Sequence, residues 1–219
     1  MDTDQSVNIL DPTPESAVRV RRPDGRAPEI ARAALELFVT KGFAATKLDD
    51  VAKAAGVSKG LPYLYFRSKD ELFKAVIVEA LGEPLGRASE LVESFDGTTE
   101  ELLRALIAYF RLFAESPAGG VIKLILAEAG NFPYVARFFC SNFDRQGREL
   151  FAKTLRRGVA RGEFGPIADI ETTAIILVQP LAMHSIWQRS LAPHDNGPPI
   201  DNDQFYAAYL DFVLKALRR

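Results

Sequence analysis

The 219-residue sequence predicts an all-α fold of about nine helices. Three observations point there. Apolar residues recur three and four positions apart in segment after segment, the spacing of a one-sided helix, and no stretch shows the alternation of a strand. Polar capping pairs stand at the head of several such segments: Ser68 with Glu71, Thr98 with Glu101, Asp201 with Gln204. Glycines follow where a helix has to stop, Gly42 after Lys41 and Gly162 after Arg161.

Taken in order, residues 1–22 show no periodicity and read as a flexible arm. Pro28 suits the first position of a helix, where its missing N–H costs nothing, and Ile30, Ala33, Ala34, Leu37 and Phe38 supply the buried stripe. Thr46 is the expected N-cap of the second helix, buried through Leu48, Val51, Ala52 and Ala55. Gly56 turns the chain in a left-handed conformation, Val57 plugs the corner, and Ser58 is the expected cap of a short third helix. Ser68-Lys69-Asp70-Glu71 opens a long fourth helix through Leu72, Phe73, Val76, Ile77 and Leu81. Thr98 opens a helix through Leu102, Leu106, Phe110 and Phe113. Asn131-Phe132-Pro133 breaks the pattern and begins a helix to about Arg161. Asp169 begins an apolar helix to about Ser190, a loop follows over 192–199, and Asp201 caps a last helix ending at Leu217.

Composition narrows the classes. Hydrophobic residues make up 47% of the chain, ordinary for a globular protein. Apolar runs such as Ala105–Phe110 are too short for a bilayer, and the opening MDTDQSVNIL lacks the apolar core of a secretory signal. Cys140 is the only cysteine, which fits a reducing cytoplasm. The net charge of −2 conceals an asymmetry: Arg19–Lys74 carries 12 Lys/Arg against 7 Asp/Glu, and the rest carries 15 against 22. A basic head on an acidic body suits contact with phosphates. His184, His194 and one cysteine make no metal-ligand cluster, and no phosphate loop, nucleophile elbow or paired carboxylates are seen. Neither catalysis nor a cofactor is expected.

The stretches ALELFVTKGFAATKLDDVAKAAGVSKG and YLYFRSKDELF, over Ala34–Phe73, combine helix register, turn and caps at fixed spacing. In these the chain resembles the TetR family of transcriptional regulators, and LILAEAGNFPYVARFF is similar to an AcrR-like subgroup. The resemblance implies a helix-turn-helix head over 23–72 that reads double-stranded DNA, and an effector-binding and dimerisation domain over 73–219. Matched onto the family pattern, the groove-facing positions are Lys59, Gly60, Leu61, Tyr63, Leu64 and Tyr65, with Thr46, Lys47, Ser58 and Lys69 at helix N-termini placed to hold phosphates. Thr46 and Ser58 are caps in either case, Lys69 is also readable as a solvated residue, and one of Tyr63 and Tyr65 is also readable as core. Tyr63 is favoured as the contact and Phe66 as the core residue. Arg19, Arg21, Arg22 and Arg26 offer a basic arm, or simply a solvated tail.

Pro62 departs from the family's usual Leu or Ile. With Ser58 as cap, proline deletes the bond to the Ser58 carbonyl, so the first turn is expected to be irregular or shifted. For the body, the resemblance implies a homodimer through the last two long helices, with Ile175, Val178, Leu181 and Met183 at the interface or completing an internal core. Pro180 is expected to kink its helix. Tyr109, Phe113, Phe138, Asn142, Gln179, His184 and Trp187 are candidate walls of a pocket for a small hydrophobic or aromatic effector, although aromatics at helical spacing are more often core. The implied function is a repressor released by that effector. The alternative is a ligand- or protein-binding module whose DNA affinity Pro62 has weakened.

Overall fold

A computed structural model describes residues 25–218. They form ten α-helices and no strand. Helices α1 (Arg26–Lys41), α2 (Leu48–Ala54) and α3 (Leu61–Tyr65) make the head. The body follows as α4 (Lys69–Ser94), α5 (Thr99–Glu115), α6 (Gly120–Glu128), α7 (Pro133–Phe139), α8 (Arg145–Ala160), α9 (Ile170–Ser190) and α10 (Asn202–Leu217). A π turn over Cys140–Asp144 joins α7 to α8 without a break, so the described residues make nine separate rods.

Two apolar cores organise these helices. The first gathers Ile30, Ala34 and Phe38 of α1, Phe43, Val51, Phe66, the start of α4 through Leu72, Phe73, Val76 and Ile77, and Val121, Leu124, Ile125 and Val135 of α6 and α7. The second lies in the body, among Val92, Leu102, Leu106, Leu150, Phe151, Leu155, Leu177, Leu181, Tyr206 and Leu214. Helix α4 passes from one core to the other, so its first half supports the head and its second half the body. Head and body therefore share packed side chains, and α6 packs directly against α1.

Local chemistry accounts for the ends. Thr98 Oγ1 accepts from the Glu101 N–H at 3.2 Å while the Glu101 carboxylate accepts from the Thr98 N–H at 2.8 Å, the reciprocal cap the sequence predicts. Asp169 and Asp201 cap α9 and α10 without the return bond, accepting from the Thr172 N–H and from the Asp203 and Gln204 N–H groups, and Ser68 Oγ accepts from the Glu71 N–H. Gly42 and Gly56 have φ of 90° and 66°, the left-handed backbone that ends α1 and turns α2 into α3.

Three helices add detail to the sequence reading. Helix α1 begins at Arg26, two residues before Pro28, which still lies within the first turn where its missing N–H has no partner to lose. Helix α4 continues past Leu81 to Ser94 with Pro84 inside it. Thr46 does not cap α2; Lys47 occupies that position, and Thr46 is 2% exposed with its hydroxyl donating to the Gly42 carbonyl at 2.8 Å.

Candidate nucleic-acid interface

The turn between α2 and α3 fixes the reading helix. The Val57 N–H reaches back to the Ala52 carbonyl at 3.0 Å, and the Leu61 N–H donates to the Ser58 carbonyl at 2.9 Å. That second bond corrects the expected role of Ser58. It closes a tight turn over residues 58–61 instead of capping α3, and Gly60 takes the cap position. Pro62 consequently deletes no helix bond, because it stands at the second position of α3, where a backbone N–H has no intrahelical partner. Its ring is buried and seats the first turn of α3 against the head, while Phe66 at the far end is 7% exposed. The shortened, shifted helix follows from proline's preference for a first-turn position.

Seating α3 by Pro62 and Phe66 turns Tyr63 and Leu64 outward, 54% and 82% exposed. Ser58, Lys59 and Gly60 are exposed beside them. Leu61 and Tyr65 are half-buried and pack on the first core, so of the two tyrosines only Tyr63 stands fully on the outer face. Lys47 is exposed at the start of α2. Two of the expected phosphate contacts have partners within the head. The Thr46 hydroxyl is buried and spent on helix carbonyls. The Lys69 ammonium folds back to donate to the Ala44 carbonyl at 3.0 Å and lies 4.3 Å above the Phe43 ring, where desolvation pushes its pKa below the ordinary lysine value. Lys69 thus braces the head from within. Arg19, Arg21 and Arg22 lie outside the described residues, and Arg26 pairs with Glu29 at 3.1 Å within α1.

Sequence reasoning missed Asp49 as a member of this face. Its Oδ2 lies 3.0 Å from Lys59 Nζ, and its Oδ1 accepts from Tyr63 Oη at 3.4 Å. The hydrogen bond to Asp49 holds the Lys59 ammonium above the usual lysine pKa. The neighbouring Asp50 carboxylate is taken by Lys41 at 2.6 Å and by the Lys47 N–H, which together hold its pKa below the ordinary aspartate value. The signal available in the sequence was two acids in the first turn of α2, which reads as a helix-dipole preference and does not reveal a partner across the turn.

The body does not bring the candidate pocket walls together. Tyr109 packs on the second core, whereas Phe113 and Phe138 pack on the first. Asn142 is exposed in the π turn, its amide donating to the Phe138 carbonyl. Gln179 is exposed on α9. His184 is buried, stacked on Phe205 at 3.6 Å with Nε2 2.8 Å from Asn202 Oδ1, and it borders a cavity of about 220 Å³ with Glu115, Ser185, Arg189 and Tyr206. Trp187 borders a different hollow, beside Ala192 and Ile200. The first hollow is lined mainly by polar side chains and the second by a mixture of polar and apolar ones, so the two hold His184 and Trp187 apart.

Of the four interface candidates, Met183 is 61% exposed, Ile175 and Val178 are half-buried, and Leu181 is fully buried in the second core. Leu181 therefore belongs to the interior, because the side of α9 that carries Ala174, Leu177 and Leu181 faces α8 and α5. Ile176 on α9 and Phe212 on α10 join Met183 as large exposed apolar residues, 58% and 72% open.

Known proteins match this chain along most of its length. Residues 30–76 match the family described as bacterial regulatory proteins, tetR family, and residues 96–196 match the tetracyclin repressor-like C-terminal domain. The HTH-type transcriptional repressor KstR2 of Mycolicibacterium smegmatis is 27% identical over 194 residues, 88% of this chain and 91% of that protein. The uncharacterized HTH-type transcriptional regulator YfiR of Bacillus subtilis is 30% identical over 153 residues, 69% of this chain and 74% of that protein. The fatty acid degradation regulator FadR from Bacillus halodurans has the same fold, with a TM-score of 0.71 at 19% identity over 89% of this chain and 97% of that one.

Proposed function

We propose a repressor's mechanism for this chain, which belongs to the tetR family of bacterial regulatory proteins and is a DNA-binding transcriptional regulator, not an enzyme. Two copies pair through α9 and α10 and set two heads on an operator, with half-sites about one helical turn (~34–36 Å) or a multiple apart. Each head lays α3 in the major groove, where Tyr63, Leu64 and Lys59 meet base edges and Lys47 and Ser58 hold the backbone. The protein acts on DNA in the cytoplasm. The observation that carries this reading is the outward face of α3, with Tyr63 and Leu64 on a helix whose opposite side is anchored by Pro62 and Phe66. The rival reading, a module whose head has lost DNA affinity, rests on a bond lost at Pro62, and Pro62 stands in the first turn of α3, where its N–H would have no helical partner.

Release is assigned to a small hydrophobic or aromatic effector in the body. The name of the FadR relative, a regulator of fatty acid degradation, supports an apolar class. The aromatic packing of Phe113, Phe138 and Phe143 where α4, α6 and α7 meet supplies apolar surface near the head. Phe132, at the α6–α7 turn, lies edge-on to Phe43 of the head at 4.9 Å. An effector that binds better when α6 and α7 shift would draw the population toward heads out of register with the operator.

The test is fluorescence anisotropy of the protein on duplex DNA from the region upstream of its own gene, over 50–200 mM salt. A dimer contacting six to ten phosphates should lose roughly 10³–10⁵ in affinity over that range. Absent or salt-insensitive binding overturns the reading.

A further inference from the structure

We propose that Asp49 is a specificity-determining residue of the reading head: it binds Lys59 and Tyr63 into one polar unit that suits a G·C base pair and withholds Lys59 from phosphate. This rests on the DNA-reading function proposed above and assigns one base-reading element within it.

The geometry sets a donor and an acceptor side by side on the outer face. One carboxylate oxygen of Asp49 takes Lys59 Nζ at 3.0 Å and the other takes Tyr63 Oη at 3.4 Å, which draws α2, the turn and α3 together at the surface. All three groups stay open: the Lys59 side chain is 78% exposed, that of Asp49 41%, and Tyr63 54%. An ammonium has three donors, so Lys59 keeps two after satisfying Asp49, and the carboxylate retains lone pairs beyond its two partners. In the major groove a G·C pair offers the guanine O6 and N7 acceptors next to the cytosine N4 donor. Lys59 can meet the first while Asp49 meets the second, with their own ion pair intact.

A phosphate makes the opposite demand. It offers acceptors only, and its charge repels the carboxylate that comes with Lys59. Moving Lys59 onto a phosphate leaves Asp49 unpaired against a polyanion. Because non-specific affinity is nearly all phosphate electrostatics, the ion pair subtracts Lys59 from non-specific binding while keeping it for a base edge. The neighbouring Asp50 is turned instead to Lys41 and the Lys47 N–H, so the partner of Lys59 on this face is Asp49. Lys47, outside the pair, remains available to the backbone.

The test uses the full-length wild type and Asp49→Asn, each first selecting from a random-sequence duplex library, then titrated against the wild-type consensus and a scrambled duplex across salt. Asp49→Asn is expected to bind the scrambled duplex more tightly, with its logarithmic salt slope steeper by about one, as one further phosphate contact requires. Its preference for consensus over scrambled DNA should fall about tenfold or more, and one G·C position of the consensus should relax. Lys59→Met is expected to relax the same position without steepening the slope, and thermal melts of both variants should match the wild type because the pair is exposed. An unchanged slope with an unchanged consensus overturns the role of Asp49. If the wild type itself selects no sequence, the DNA-reading function falls, and the two failures are thereby told apart.

Discussion

Replacing Phe43 by Ala is expected to destabilise the protein by about 3–5 kcal/mol, read as a lowered midpoint in urea unfolding. The side chain is 2% exposed and stands where head and body meet. Its ring contacts Phe38 at 5.1 Å, Phe73 at 4.7 Å and Phe132 at 4.9 Å, measured between centroids, and lies beneath the Lys69 ammonium. Truncation forfeits the buried area of one aromatic and three ring pairs, each worth about 0.5–1.5 kcal/mol beyond area. The hollow left behind is walled by α1, α4 and the α6–α7 turn, which are anchored elsewhere and cannot all collapse into it. With total stabilities of roughly 5–15 kcal/mol, such a loss leaves little reserve, and operator binding should weaken with it as the temperature rises. A change below about 1 kcal/mol would mean that Phe43 does not join the two parts of the molecule.

Gly119→Ala should act on the body with comparable force. A methyl group at this position would stand 2.7 Å from the Phe113 carbonyl oxygen and closer still to that of Ala114, with no flexible side chain to yield. Those carbonyls end α5 and are already committed. The Ser116 N–H donates to Leu112 and Phe113, and Arg189 donates to the Ala114 and Ser116 carbonyls at 2.6 and 2.5 Å. Making room means moving the end of α5 and breaking the Arg189 bonds that tie it to α9. Overpacking costs about 1–3 kcal/mol, and a backbone obstacle places this site at the upper end. A thermal melt should fall by roughly 6–12 °C for a chain of this size. The sign decides the matter, because Ala in open helical space would instead raise stability by up to about 1 kcal/mol.

The sequence was most legible where structure is decided within a few residues. The caps at Ser68, Thr98, Asp169 and Asp201 each pair a side chain with an N–H two or three positions on, and each forms. Thr46 was misread because its hydroxyl is captured by the carbonyls ending α1, which only the folded turn brings near. Ser58 was misread because a tight turn and a helix cap look alike in sequence, and Leu61, not Pro62, supplies the N–H that decides between them. The π turn over Cys140–Asp144 carries no residue pattern of its own. Pocket walls were the least legible, since Phe113 and Tyr109 lie four residues apart on α5 yet serve different cores. On α9 Leu181 and Met183 both read as apolar and, two residues apart, point to different sides of the helix; which one faces inward depends on where α5 and α8 lie.

In the function proposed above the outward face of α3 meets DNA, and Tyr63 is its most exposed aromatic. The most direct measurement compares the wild type with Tyr63→Ala on the selected operator at fixed salt, with thermal midpoints taken alongside. Operator affinity should weaken about tenfold or more while the midpoint stays close to that of the wild type, as loss of a base-reading contact at an exposed position requires. Unchanged affinity with an unchanged midpoint would contradict that function.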